Sequence, residues 1–128
     1  MDERIKYWLD TAEYDMDTAD AMFETKRYLY VGFMCHLIVE KLLKAYYVKA
    51  LDKTPPYSHN LRLLAHESGL KDILDEEKLM FIISLQPFNI EARYPSYKDG
   101  LQKKLNNEIC YQILSKTKEL FQWIKQIL

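Results

Sequence analysis

Between Tyr28 and Leu51 the sequence sets Val31, Cys35, Ile38, Leu42 and Ala45 at three- and four-residue steps, with no proline to interrupt them. That spacing is the stripe of an α-helix, but Phe33, Met34, Leu37, Leu43 and Tyr46 make much of the remaining circumference apolar too. A helix apolar on most sides must be enclosed by other elements, so this segment predicts the central, most buried helix of the fold. The rest of the chain has to supply its cover. Residues Ile5, Trp8, Leu9, Ala12, Met16, Ala19, Met22 and Phe23 form one amphipathic stripe ahead of it. A last helix, about Leu101 to Ile127, carries Leu105, Ile109, Ile113, Leu120, Ile124 and Ile127 on one side. No segment shows the strict alternation of a half-buried strand. The fold class is therefore all-α: a bundle of four long helices and one short one.

Punctuation along the chain sets the boundaries. Pro55 and Pro56 cannot continue the helical hydrogen-bond ladder, so the central helix stops before them. A short helix from about Leu61 to Glu67 follows, with Ser58 or Asn60 as its N-cap and Gly69 suited to a left-handed C-cap. The run DEEKLMFIISLQPF opens with acids that suit a positive helix N-terminus, and Pro87 kinks or ends it. Gly32, inside the central helix, costs about 1 kcal/mol relative to alanine. Close helix packing at that point is the expected reason.

Size and composition fit one domain spanning residues 1–128, since 128 residues with 48% hydrophobic and 29% charged side chains can bury one ordinary core. The longest uncharged apolar run without histidine, YLYVGFMC, falls far short of the ~20 residues of a membrane span. The opening MDERIK leads into no apolar signal segment, so a cytoplasmic protein with no membrane span is expected. Cys35 and Cys110 form neither a C-x-x-C pair nor a Cys/His ligand spacing, so reduced, buried thiols are expected and no zinc site. Net charge is −1, yet residues 1–24 hold eight acids against two bases. A chain so balanced is not steered as a whole towards nucleic acid.

The chemistry-bearing residues are few. His36, Glu40 and Lys44 stand four apart and project along one face of the central helix, where the glutamate can pair with either neighbour. A ligand-binding or catalytic stripe is one reading; a structural polar seam at a helix or subunit contact is the preferred one, because structural networks also collect charges. His59 precedes the short helix, where it can cap it, pack in the loop or contact a phosphate. The three histidines lack the four-residue pairing of a helical metal site, so no metal and no cofactor are expected. Ten tyrosines, among them Tyr28, Tyr30, Tyr46, Tyr47, Tyr94 and Tyr97, can line a contact between two chains or stack on a base.

Taken in order, W-L-x-x-A-E-x-D in the first helix, V-E-K-L-L-K-A-Y-Y in the central one, P-P-Y-S-H-N-L-R-L-L and then E-A-R-Y-P resemble the HEPN family, the higher eukaryotes and prokaryotes nucleotide-binding domain. The resemblance covers almost the whole chain, and E-K-x-L-K-A with the following S-H-x-L is its most specific part. It implies an up-and-down bundle of about five helices, commonly a homodimer, often paired with a minimal nucleotidyltransferase in a toxin-antitoxin-like system. It also implies nucleotide or RNA binding and, in a large subset, metal-independent ribonuclease activity. That subset is similar in placing a histidine beyond an arginine, with four to six residues between them. Here those positions after Arg93 hold Lys98, Asp99 and Gly100, and no other arginine meets the spacing. Cleavage through the 2′-hydroxyl needs a proton carrier near neutral pH, and a lysine is protonated there. The sequence thus predicts a non-catalytic module that binds through Arg93, Tyr94, Tyr97, Lys44, Glu40 and His59, with arginine gripping phosphate and tyrosine stacking. The alternatives are a ribonuclease with an altered pair, Arg93 with His59 or His36, and a purely structural interaction protein.

Overall fold

The computed structural model of the protein describes residues 1–91 and 104–128. Helix α1 (Glu3–Glu24) begins where the Asp2 carboxylate accepts the Arg4 amide at 2.8 Å. The Arg4 side chain also bonds Asp2 and holds its carboxyl down at about 2, then reaches across to Asp52 at the end of the next helix. Ile5, Leu9, Ala12, Met16 and Ala19 form the buried stripe of α1. A short turn leads into α2 (Tyr28–Leu51), so the two helices make an antiparallel hairpin, cross-linked by the ion pair of Lys41 with the buried Asp15. As the apolar circumference predicted, α2 is the central element and packs against α1 and three later helices. Ile38, Leu42 and Leu43 on it are wholly removed from solvent, each contributing roughly 1.5–3 kcal/mol of burial.

Helix α3 (Leu61–Glu67) has the expected bounds, with Asn60 as its cap: the side chain accepts the Leu63 amide at 3.0 Å. It ends at Gly69, whose φ of 83° is the left-handed backbone glycine adopts without a Cβ clash. A 3₁₀ turn (Leu70–Asp72) leads to α4 (Glu76–Ser84), capped by Asp75. The expected fourth long helix is in fact two pieces, because the chain breaks at Leu85 and resumes as α5 (Gln86–Glu91) with Pro87 in its first turn. Phe88 on α5 lies so close to α2 that a Cβ on Gly32 would meet its ring at 3.0–3.3 Å. Close packing is thus the reason for that glycine.

The last helix, α6 (Asn107–Ile127), starts later than the spacing suggested, at an Asn106 cap that accepts the Ile109 amide at 2.9 Å. Of the expected face, Leu120 and Ile124 are buried and Ile113 and Ile127 pack partly against the core; Ile109 departs from it. Cys110, Leu114, Thr117, Leu120, Phe121 and Ile124 point inward, while Ile109 is 39% exposed. Thr117 is tolerated in the core because its hydroxyl donates to the Ile113 carbonyl at 2.8 Å. Leu105, expected inside the helix, lies before the cap and is buried there. The fold is an all-α helical bundle, and no strand occurs among the described residues.

Candidate functional site

The three residues singled out by spacing, His36, Glu40 and Lys44, meet His59 where α2 passes the loop before α3. Glu40 is buried on α2 and uses both carboxylate oxygens: Oε2 accepts Lys44 Nζ at 3.1 Å, and Oε1 accepts His59 Nδ1 at 2.8 Å. The Lys44 ammonium also sits over the Trp8 ring of α1, 5.4 Å from its centroid. His36, fully buried one turn before Glu40, donates from Nε2 to the His59 carbonyl at 3.1 Å, and its Nδ1 lies 3.9 Å from Glu40 Oε1. The four-residue ladder of α2 thus grips the loop at both the ring and the backbone of His59. Helix α3 is spared that task, since Asn60, not His59, caps it.

Helix α5 completes the grip through Gln86, whose amide nitrogen donates to the same His59 carbonyl at 3.1 Å while its oxygen accepts the Leu61 amide at 2.7 Å. Leu61 is the first residue of α3, so Gln86 satisfies one of the amides that a helix start leaves without an internal partner. Nothing in the sequence marks Gln86 for this role, because its partners are far away along the chain.

The result is an asymmetric site. Lys44 is turned inward and its charge is taken up by Glu40 and Trp8, which leaves it little reach towards a ligand. His59 is different: Glu40 fixes Nδ1 as the protonated nitrogen in the neutral ring, and the side chain is 53% exposed. Its Nε2 has no partner among the described residues. An imidazole so held presents one acceptor at fixed orientation, the arrangement that suits both ligand contact and proton transfer. Arg93, Tyr94 and Tyr97 follow α5 in the sequence and lie outside the described residues. Among the described residues no group of three His, Cys, Asp or Glu could hold a metal ion, and no helix is long and apolar enough to cross a membrane. Cys35 and Cys110 are both buried free thiols.

The family model of the HEPN domain matches residues 5–127. The chain belongs to the HEPN family. Its bundle is also similar to the crystal structure of TT1696 from Thermus thermophilus, with a TM-score of 0.82 and 16% identity over 98% of each chain. At that identity the likeness is one of fold. No curated protein sequence matches the chain. The segments E-K-x-L-K-A and S-H-x-L, both inside the HEPN match, are the two that Glu40, Lys44 and His59 tie together.

Proposed function

We propose that this HEPN protein is a non-catalytic binding module, a homodimer that takes a nucleotide or a segment of RNA against the exposed edge of His59. Arg93, Tyr94 and Tyr97 complete the contact in this reading, the arginine on phosphate and a tyrosine on a base. The observation that supports it most is the internal compensation of the polar cluster. Glu40 is saturated by Lys44 and His59, so the buried charges serve the scaffold and a half-exposed imidazole with an open Nε2 is what faces outward. The absence of histidine at the ribonuclease spacing after Arg93 supports binding over cleavage. A minimal nucleotidyltransferase as the partner, in a toxin-antitoxin-like pair, is the protein-binding form of the same reading.

A second reading has one observation in its favour. Glu40 orients His59 as a carboxylate orients a general base, so a ribonuclease with an altered Arg93/His59 pair would take His59 as its proton carrier. Incubating the purified protein with labelled single-stranded RNA separates the two. The binding module leaves the RNA intact and shifts its anisotropy, and His59→Ala and Arg93→Ala each weaken that shift by tenfold or more. Cleavage lost in either variant would establish the second reading, and intact RNA with no shift at all would sink nucleic-acid binding.

A further inference from the structure

The turn between α1 and α2 closes α1 with two bonds: the Arg27 amide donates to the Met22 carbonyl at 2.8 Å and the Lys26 amide to the Phe23 carbonyl at 3.1 Å. This is the Schellman arrangement, in which the residue after the cap takes left-handed backbone angles and is usually glycine. Gly69 obeys that preference at the end of α3. At the end of α1 the same position holds Lys26, with φ at 61°. A side chain kept where its own Cβ is crowded points to a use for that side chain.

Lys26 and Arg27 line a cleft of about 330 Å³ together with Tyr28, Leu29, Tyr30 and Leu105. Both cations are exposed, and neither forms an ion pair with an acid among the described residues. Glu24, the nearest acid along the chain, is exposed and takes no part in the lining. The cleft is firmly built: the Asn107 side chain donates to the Tyr28 hydroxyl at 3.1 Å, the Cys110 thiol donates to the Tyr28 carbonyl at 3.7 Å, and the Phe23 ring packs against Tyr28 at 6.4 Å. Tyr30 keeps 40% of its surface exposed at the rim. Two adjacent cations fit a doubly charged anion, and arginine's planar fork favours phosphate oxygens. Aromatic walls and a volume near the lower end of ligand pockets fit a ring attached to that anion.

We propose that this cleft binds a small organic monophosphate, its phosphate held by Lys26 and Arg27 and its ring packed against Tyr28 and Tyr30. The site uses no residue of the Glu40–His59 cluster, and dependence of binding on Lys26 and Arg27 distinguishes it from a nucleotide held at His59. Calorimetric titration of the whole chain with adenosine 5′-monophosphate, adenosine and inorganic phosphate tests it. The monophosphate binds at least tenfold more tightly than either of the others, and Lys26→Gly and Arg27→Ala each weaken it tenfold or more. Lys49→Ala, exposed at the far end of α2 and in neither site, leaves the affinity unchanged. Lys26→Gly is the informative variant, because glycine relaxes the left-handed turn: its melting temperature equals or exceeds that of the native chain while binding is lost. Native affinity in Lys26→Gly, adenosine or inorganic phosphate binding as tightly as the monophosphate, or no binding at millimolar ligand overturns the proposal.

Discussion

Glu40 carries a large single-residue consequence because two partners share its buried carboxylate. Its carboxylate is the shared partner of Lys44 and His59, and all but 4% of the residue is buried. Removing one member of a buried charge pair leaves the other uncompensated, at a cost of about 3–5 kcal/mol, whereas replacing the pair with apolar groups of similar volume is often close to neutral. Glu40→Ala is therefore expected to destabilise the fold by about 3–5 kcal/mol in urea unfolding. Glu40→Leu combined with Lys44→Met should recover most of that loss. A double variant as unstable as Glu40→Ala would show that His59, not Lys44, dominates the dependence. His36, Glu40 and Lys44 were legible as one face because four-residue spacing is a local property of a helix. His59 as the second partner of Glu40 was not, because the two are separated by 19 residues and meet only through the path of a loop.

At the level of elements, α1, α2 and α3 follow the sequence closely because their ends carry strong chemical signals: Asp2, the proline pair after α2, Asn60 and Gly69. The late start of α6 and the exposure of Ile109 were harder to read. Ile109 is as hydrophobic as the residues that are buried, and only the position of α2 decides that Cys110 and Leu114 face inward instead. The α2–α5 contact gives a sharp test of packing. Gly32→Ala gains about 1 kcal/mol in helix propensity. The new methyl, however, meets Phe88 at 3.0–3.3 Å in a ring-filled space, and overpacking of that kind costs about 1–3 kcal/mol. Net destabilisation is expected in thermal unfolding, with Phe88→Leu in the Gly32→Ala background restoring stability. If Gly32→Ala alone were stabilising, the packing account of this glycine would be wrong.

For the molecule as a whole, the core makes stability depend on alkaline pH. Burial pushes the Cys35 thiol up to about 12 and the Cys110 thiol up to about 11, while thiols in the unfolded chain titrate near the ordinary value of about 8.5. The folded state therefore holds protons that the unfolded state releases. The stabilising effect is complete below the unfolded value, and it is lost as pH rises from there towards the folded values. Between pH 8 and 10 the native protein is expected to lose roughly 2 kcal/mol per thiol in urea unfolding, a loss absent from Cys35→Ala/Cys110→Ala. Equal slopes in the two proteins would show that these thiols do not ionise on unfolding. By itself the sequence determined the helical class, the central place of α2, most helix starts and stops and the HEPN resemblance, because periodicity, capping and proline act within a few residues of where they are written. The tertiary structure alone decided that Glu40 would be shared between Lys44 and His59, that Gln86 would clasp the loop, and that Lys26 and Arg27 would line a cleft. Those contacts depend on how the helices are placed against one another, which is set by the packing of the whole core and is recorded in no short stretch of the chain.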